Sequence, residues 1–496
     1  MKLSCDGQYA RKIASTYFIV RLLVKVRRFP LWSTLSIFET MKAKKIFKAI
    51  SLTLLLIALS YGIYYCWRSF PIISGFSAKN GCSCAFLQGR TKASINEEEL
   101  NSFPLSLGDI EINYKDSTVT GTVLGLAKRK AIYRNGLGCT LVNDFSEDVV
   151  RSQKFIVPSC GAGADTAWVN YTIGDSFSID RSKLDDAVAT VFAREYNKKP
   201  LLTKALLVVC KNKIVAEKYA PGYNQNSMFL GWSMAKSVTG ALVGILVKQG
   251  KLHPEQPAPV AEWHQPNDDR QQIRLEHLLQ QTSGLNFRED YASYSNATNM
   301  LFNKGDMAGY TESISLKVKP GTEFYYSSGN SNILSGIVRS TVGEKDYHSF
   351  PYNELFHKLG MYHTLIEPDA SGTFVGSSYI WASARDYARF GMLYLNDGVW
   401  EGQRILPEGW VKKSITPPPV NQMKNYGYQF WLNGFIDKQR SRKEFLKMPD
   451  DLFFADGFGG QRIYIIPSKQ LVAVRLGLNK FDEERFLKLL VESVGN

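Results

Sequence analysis

Ser233 and Lys236 are the two residues of this sequence whose types and spacing most directly suggest chemistry. A spacing of three puts both side chains on one face of a helix, in its first turn. A serine there lies beside free backbone N–H groups and the positive end of the helix dipole. A desolvated lysine favours its neutral amine, which can accept the proton of that hydroxyl. The pair could therefore supply a nucleophilic serine without a histidine.

The residues that follow this pair help to decide whether the pair is catalytic or only structural. Serine is a common N-cap, and a lone Ser-x-x-Lys pattern is therefore a weak signal. After Lys236, Val238, Leu242 and Ile245 recur at helical spacing, and Gly250 predicts the end of that helix. A helix this apolar should be largely buried, so we expect Lys236 to be partly desolvated.

Apolar runs near both ends of the same region predict the sheet that supports this helix. The runs that resemble β-hairpins are 205–210 with 214–219, and 462–466 with 471–476. Helical patterns cover 182–196, 382–395 and 482–494. Strands at both ends with helices between them predict an α/β (α+β) fold. Its antiparallel sheet is flanked by helices and carries an all-helical subdomain.

Residues 49–67 form an apolar segment without any charged side chain. Their number, 19, is close to the ~20 residues that a helix needs to cross a bilayer. Four lysines between positions 42 and 48 precede the segment, which orients the N-terminus toward the cytoplasm. We therefore predict a transmembrane or signal-anchor helix with the main chain periplasmic or extracellular. A cleaved signal peptide is the alternative, and Met41 is a second candidate start.

The net charge of +14 is concentrated at the N-terminus. Residues 1–77 carry a net charge of +10, which leaves +4 on the remaining chain. This distribution indicates a membrane-flanking tail and argues against nucleic-acid binding. No Cys-x-x-Cys occurs, and the six histidines do not cluster with cysteines. We therefore expect neither a metal site nor a cofactor.

The sequence divides into three regions, 1–77, 78–177 and 178–496. The middle region alternates like strands over 109–114 and 118–124, which predicts a small β-rich unit without assignable chemistry. Its glycine turns are at 136–139 and 161–163, and its cysteines are Cys82, Cys84, Cys139 and Cys160. These cysteines either form one or two disulfides, if the region is exported, or remain buried thiols.

Five motifs occur in a fixed order over about residues 178–496. They are SMAK at 233–236, LEHLLQQTSGL at 275–285, PGTEFYYSSGN at 320–330, ASARDYARFG at 382–391 and DGFGGQ at 456–461. Together they resemble the penicillin-recognising serine hydrolases. The likeness is to class C β-lactamases, related esterases and 6-aminohexanoate-dimer hydrolases. It implies an acyl-enzyme mechanism on small esters or amides.

The resemblance also implies roles for individual residues. Ser233 would be the nucleophile, and Lys236 would hold its proton or pass it on. Tyr326 would be the general base or the leaving-group acid, with Tyr325 taking its place if the alignment shifts by one. A Lys–Tyr pair titrates as a unit, so the sequence does not decide which of them is the base.

Further residues would bind the substrate in such an enzyme. The oxyanion hole would combine the Ser233 N–H with a backbone N–H near Gly459, Gly460 or Gln461. Tyr291 and Ser328 would contact the substrate, whereas His277 is expected to be structural.

Two departures from the family pattern narrow the range of substrates that we expect. Ser328 stands where the second motif usually has asparagine, and Phe458 where the third has lysine or histidine. Those polar groups commonly bind β-lactams and peptidoglycan stems. Their loss favours esters and linear amides over a β-lactamase or D,D-peptidase.

Two rival interpretations stay open at this point. An α/β-hydrolase needs a histidine late in the chain, but the last histidine is His363. A membrane-anchored binding protein could keep the fold and lose turnover, and the altered motifs are compatible with it.

Overall fold

The computed structural model describes residues 36–155, 158, 168 and 175–495. The chain divides into two compact units, residues 1–68 and 69–496. Cys160 and the glycine turn predicted at 161–163 lie outside the described residues.

Helix α1, Ser36–Gln88, contains the apolar segment predicted at 49–67 and extends beyond it at both ends. Every residue from 45 to 65 is exposed. Among the described helices, this one alone is long and apolar enough to span a membrane.

The second unit begins with the C-terminal part of α1. Ile73, Ala78, Cys82 and Ala85 are buried at spacings of three to five, which places them on one face of the helix. Because this apolar face packs against protein, the helix continues through residue 77, where the sequence predicted a boundary.

The remaining helices and strands follow in chain order. The helices are α2 Lys92–Glu98, α3 Glu147–Ser152, α4 Arg181–Val191, α5 Met234–Lys248, α6 Leu275–Leu279, α7 Asn296–Asn303, α8 Met307–Glu312, α9 Ser328–Val342, α10 Ala384–Leu395, α11 Trp410–Ser414 and α12 Glu483–Ser493. The strands are β1 Gly108–Asn113, β2 Thr118–Val123, β3 Leu126–Arg134, β4 Gly138–Leu141, β5 Glu195–Tyr196, β6 Lys199–Pro200, β7 Leu202–Cys210, β8 Lys213–Tyr219, β9 Phe229–Leu230, β10 Thr364–Ile366, β11 Ile380–Ala382, β12 Val399–Trp400, β13 Gln403–Arg404, β14 Trp431–Leu432, β15 Phe453–Gly457, β16 Gln461–Ile466 and β17 Leu471–Leu478.

The main sheet has six antiparallel strands in the order β14-β15-β16-β17-β7-β8. Strands from the end of the chain therefore pair with strands near residue 200, as the sequence predicted. In β7, Leu207 and Val209 face the core that contains α5, whereas Leu206 and Val208 face the core that contains α4 and α12. This alternation buries both faces of the sheet under helices.

The first helix after the middle region differs from the prediction. Asp180 caps α4, because its side chain accepts a hydrogen bond from Lys183 N, and the helix therefore begins at Arg181. The helix ends at Val191, before residue 196, where the chain enters the short strand β5.

Strands β1 to β4 form a separate antiparallel sheet in chain order. Ile110, Val119 and Ala131 of this sheet share one core with α1 and α7. A disulfide joins Cys82 in α1 to Cys139 in β4, while Cys84 is a buried free thiol. The predicted β-rich region thus packs as part of the second unit.

Candidate active site

Ser233 lies immediately before α5, at the N-cap position, with helical backbone angles. Its side chain makes no capping hydrogen bond, so the hydroxyl is free for other contacts. The preceding Trp232 has φ of +47°, which is strained for a bulky residue and is typical of functional sites. Gly231 permits this turn, because a Cβ there would clash with the Tyr387 hydroxyl.

Lys236 is buried one turn into α5 and contacts Ser233 directly. Its Nζ lies 3.0 Å from Ser233 Oγ and donates to Ser377 O at 2.9 Å. Burial lowers the pKa of Lys236 to about 8, although the charge of Glu289 partly opposes this. The amine is therefore partly neutral near neutral pH and can accept the Ser233 proton.

Tyr326 completes the cluster on the other side of Lys236. The Lys236 Nζ lies 5.0 Å from the centre of its ring. Burial raises the pKa of Tyr326 well above its ordinary value, and a contact with the Ser233 hydroxyl only partly opposes the rise. The phenol therefore stays protonated, which suits a proton donor better than a base. Tyr325 is more exposed, and its hydroxyl accepts from Glu289 N at 3.0 Å.

Glu289 connects the two predicted substrate contacts, Tyr291 and Ser328. Its Oε1 accepts from the Tyr291 hydroxyl at 2.8 Å and from Ser328 Oγ at 2.6 Å. Its Oε2 accepts from Ser328 N at 2.8 Å. The hydroxyls of Tyr291 and Ser328 are 2.9 Å apart. The position that usually carries asparagine thus presents a hydroxyl and a carboxylate instead.

The turn between β15 and β16 lies against the residues before Ser233. A Cβ on Gly457 would clash with Gly231 O, and the rings of Trp232 and Phe458 are 5.6 Å apart. Glycine is required at the two positions that follow, where φ is +80° at Gly459 and +87° at Gly460.

The backbone donors near the nucleophile are not equivalent. The Gly460 N–H donates to Gly457 O at 3.2 Å and is used within the turn. Among the hydrogen bonds of the described residues, the N–H groups of Ser233, Phe458 and Gly459 have no acceptor. Of the two glycines predicted for the oxyanion hole, Gly459 therefore has the N–H without an acceptor.

The side chain of Gln461 serves the sheet. Its Nε2 donates to Phe458 O and Gly477 O, and its Oε1 accepts from Gly477 N at 2.9 Å. It joins β16 to β17 and supports the turn, so the side chain is not free to hold a substrate.

Arg475 in β17 braces the turn from behind. Its Nη1 donates to Gly459 O and Gly460 O, each at 3.1 Å, and its Nη2 donates to Thr203 Oγ1 at 2.8 Å. No sequence pattern had marked Arg475, Glu289 or Ser377 as part of the site. An arginine in an otherwise apolar strand was the only signal for Arg475.

The predicted structural residue His277 takes part in a local hydrogen-bond network. Its Nδ1 accepts from Arg274 N at 3.1 Å, and burial lowers its pKa to about 4. Within the described part of the chain, no group of three or more His, Cys, Asp or Glu residues could hold a metal ion. The distances between Ser233, Lys236 and Tyr326 are compatible with nucleophilic attack by Ser233 and proton transfer through Lys236 and Tyr326.

Known proteins resemble this chain in sequence and in fold. The sequence model of the beta-lactamase family matches residues 192–489. The 6-aminohexanoate-dimer hydrolase of Paenarthrobacter ureafaciens is 25% identical over 296 residues, which cover 55% of this chain and 72% of that protein.

Two solved structures resemble the fold. A Bacillus anthracis protein assigned as a 6-aminohexanoate-dimer hydrolase has a TM-score of 0.51 at 19% identity, covering 81% of this chain and 97% of its own. A Bacteroides dorei protein assigned as a beta-lactamase has a TM-score of 0.50 at 18% identity, covering 64% of this chain and 100% of its own.

Proposed function

Because this chain belongs to the beta-lactamase family of hydrolases, we propose that it is a serine hydrolase that forms an acyl-enzyme on Ser233. One observation carries the proposal. The buried amine of Lys236 lies 3.0 Å from a serine hydroxyl that caps no helix. A structural serine at this position would use its oxygen to cap α5, and a structural lysine would reach solvent or an acid.

Acylation uses the three side chains in sequence. The neutral Lys236 amine accepts the Ser233 proton as Oγ attacks the substrate carbonyl carbon. The N–H groups of Ser233 and Gly459 stabilise the oxyanion of the tetrahedral intermediate. The Tyr326 hydroxyl protonates the leaving amine or alcohol as its bond to carbon breaks, and it regains a proton from Lys236. Water then hydrolyses the acyl-enzyme by the reverse proton path.

The raised pKa of Tyr326 and the lowered pKa of Lys236 support this division of roles. A base with a pKa near the working pH is efficient, and a protonated phenol is a competent acid.

The substrate class is a short ester or linear amide. Tyr291, Ser328 and Glu289 offer hydroxyls and a carboxylate to the substrate, which suits an amide N–H or a cationic group. The relative from Paenarthrobacter ureafaciens, named a 6-aminohexanoate-dimer hydrolase, supports this class. The departures at Ser328 and Phe458 weigh against a β-lactamase or D,D-peptidase.

We place the hydrolase outside the cytoplasm, attached by the apolar part of α1. Four lysines precede that segment, which favours a cytoplasmic N-terminus. The Cys82–Cys139 disulfide is typical of an oxidising compartment.

Labelling with a fluorophosphonate tests the nucleophile. We expect the full chain to be labelled and Ser233→Ala to lose the label. Ser237→Ala on the same helix is the matched control, because its hydroxyl is buried and already donates to Gln429 O. Labelling that persists in Ser233→Ala would overturn the assignment.

A substrate panel then decides the chemistry. It contains short esters, linear amides, D-Ala peptides and a chromogenic cephalosporin. We expect turnover of esters and linear amides. Absence of both labelling and turnover would favour the membrane-anchored binding protein instead.

A further inference from the structure

The sheet β1–β4 lies lengthwise along the C-terminal part of α1, and contacts fix its direction. At one end, the ring of Tyr114, which follows β1, packs 5.8 Å from the ring of Phe86. At the other end, Gly108, the first residue of β1, lies against Ile73 and Ser77. Between them, a Cβ on Gly121 would touch the α1 backbone at Ser74 and Ala78. Ile73 and Phe86 are about 20 Å apart along the helix.

The end beside Ile73 carries an unusual group of exposed apolar side chains. Gly108 pairs with Val123, so the β2–β3 turn and the residues before β1 lie at this same end. The side chains there are Phe103, 81% exposed, Leu124, 74%, and Leu126, 61%. Three of the most exposed large apolar side chains among the described residues thus lie in or shortly before this end of the sheet. Large apolar groups kept in water mark an interaction site.

Of the lysines near these apolar side chains, one is available to contact a negatively charged partner. Lys130 pairs with Glu147 and Lys92 with Asp109. Lys128, two residues after Leu126, is exposed and takes part in none of the ion pairs formed by the described residues. Apolar side chains with a neighbouring cation suit the boundary between acyl chains and phosphate headgroups.

The direction in which the chain leaves this unit indicates that these exposed side chains meet the membrane surface. The apolar, fully exposed stretch of α1 ends near Trp67, only six residues before Ile73. Six residues span at most about 20 Å even when extended. The sheet end that carries the leucines is therefore the end from which the chain leads to the membrane-spanning segment. Three or four side chains are also too small an area for a stable dimer.

We propose that Phe103, Leu124 and Leu126 dock onto the bilayer surface and hold the hydrolase against the membrane. This assigns a role to the β-rich region, which contributes none of the proposed catalytic residues. It goes beyond the proposed reaction, because it concerns where the enzyme works and not what it cleaves.

Depth-dependent quenching in vesicles tests the proposal. The full chain is reconstituted into phosphatidylcholine vesicles with a minority of phosphatidylglycerol, and vesicle flotation confirms association. An environment-sensitive NBD group is attached at Leu124→Cys. The control site is Tyr114→Cys, which is also exposed but lies at the opposite end of the sheet. The unsubstituted chain gives the background from native cysteines.

We expect lipids with a nitroxide on the acyl chain to quench the Leu124 probe several-fold more than the Tyr114 probe. We also expect a blue-shifted emission at Leu124 alone. Equal quenching at the two sites, or a chain that does not float with the vesicles, overturns the proposal. Phe103→Cys provides a second probe at the same end if Leu124→Cys does not fold.

Discussion

At the scale of single residues, the local surroundings of Ser233 and Lys236 separate a reactive pair from an ordinary cap. The Ser233 hydroxyl does not cap α5, and Lys236 is buried without a direct carboxylate partner. Burial disfavours the ammonium ion, whereas a distant negative charge on Glu289 favours it. The balance leaves the amine near the pKa at which a general base is most useful.

This balance predicts the pH dependence of acylation. The neutral amine is the active form, so the rate should rise with pH through about 8 and fall as the pH drops below it. Glu289→Gln removes the charge that raises the pKa of Lys236. We therefore expect the acidic limb of kcat/KM to move to lower pH, measured with a soluble ester.

The control for this shift is Glu344→Gln, a carboxylate that pairs with Arg339. Glu344→Gln should leave the acidic limb of kcat/KM at the same pH. A limb that stays fixed or moves upward in Glu289→Gln would contradict the assigned roles, whatever the change in overall rate.

At the scale of elements, the turn 457–460 depends on the strands behind it. Gln461 ties β16 to β17, and Arg475 holds the carbonyls of Gly459 and Gly460. Burial lowers the pKa of Arg475 to about 10, and among the described residues it makes hydrogen bonds but no ion pair. The turn that carries the proposed oxyanion donor Gly459 is thus held by side chains that bond to its backbone and to the neighbouring strand.

Gly460→Ala tests this brace. A residue with a side chain at positive φ loses about 1–2 kcal/mol of stability. A Cβ at Gly460 would in addition lie 2.9 Å from Arg475 Nη1, which must then move. We expect a larger loss of stability in urea than that φ cost alone and a lower acylation rate.

Gly402→Ala is the matched control for Gly460→Ala. Gly402 also has positive φ, at +78°, but a Cβ there meets nothing within 4 Å. Gly402→Ala should lose only the stability that a side chain at positive φ costs, and it should keep the acylation rate. Equal changes in stability and in acylation rate for the two variants would show that Arg475 does not hold this turn.

At the scale of the whole second unit, two hydrophobic cores meet at the site. Trp232 belongs to the core shared by α1, the small sheet and α7, whereas α5 belongs to the main core. Glu367 connects the same parts, because it pairs with Lys79 of α1 and accepts from Cys139 N at 2.6 Å and Trp381 Nε1 at 2.8 Å. The part of α1 after residue 68 is therefore an integral part of the second unit.

The Cys82–Cys139 disulfide closes this arrangement, and its loss should be measurable. It joins positions 57 residues apart, and such a link contributes about 2–4 kcal/mol. Cys82→Ala should lower the free energy of unfolding in urea by about that amount and abolish the effect of reductant. Cys210→Ala, at a buried free thiol, should keep the sensitivity to reductant. A wild-type chain indifferent to reductant would argue against the bond.

The sequence by itself determined the features that depend on short-range periodicity and order. The two hairpins, α5 and the antiparallel sheet flanked by helices were predicted from apolar spacing, because period-two and period-3.6 patterns are local. The order of five motifs indicated the family. The position of the apolar segment within α1 followed from its uninterrupted composition.

Only the tertiary structure decided which side chains meet. Glu289 and Arg475 reach the site from a loop and a distant strand, and no local pattern marks such contacts. The continuation of α1 past residue 77 depended on a partner sheet that covers its apolar face. Whether a hydroxyl caps a helix or faces an amine, and whether a lysine loses its water, are consequences of packing between parts far apart in sequence.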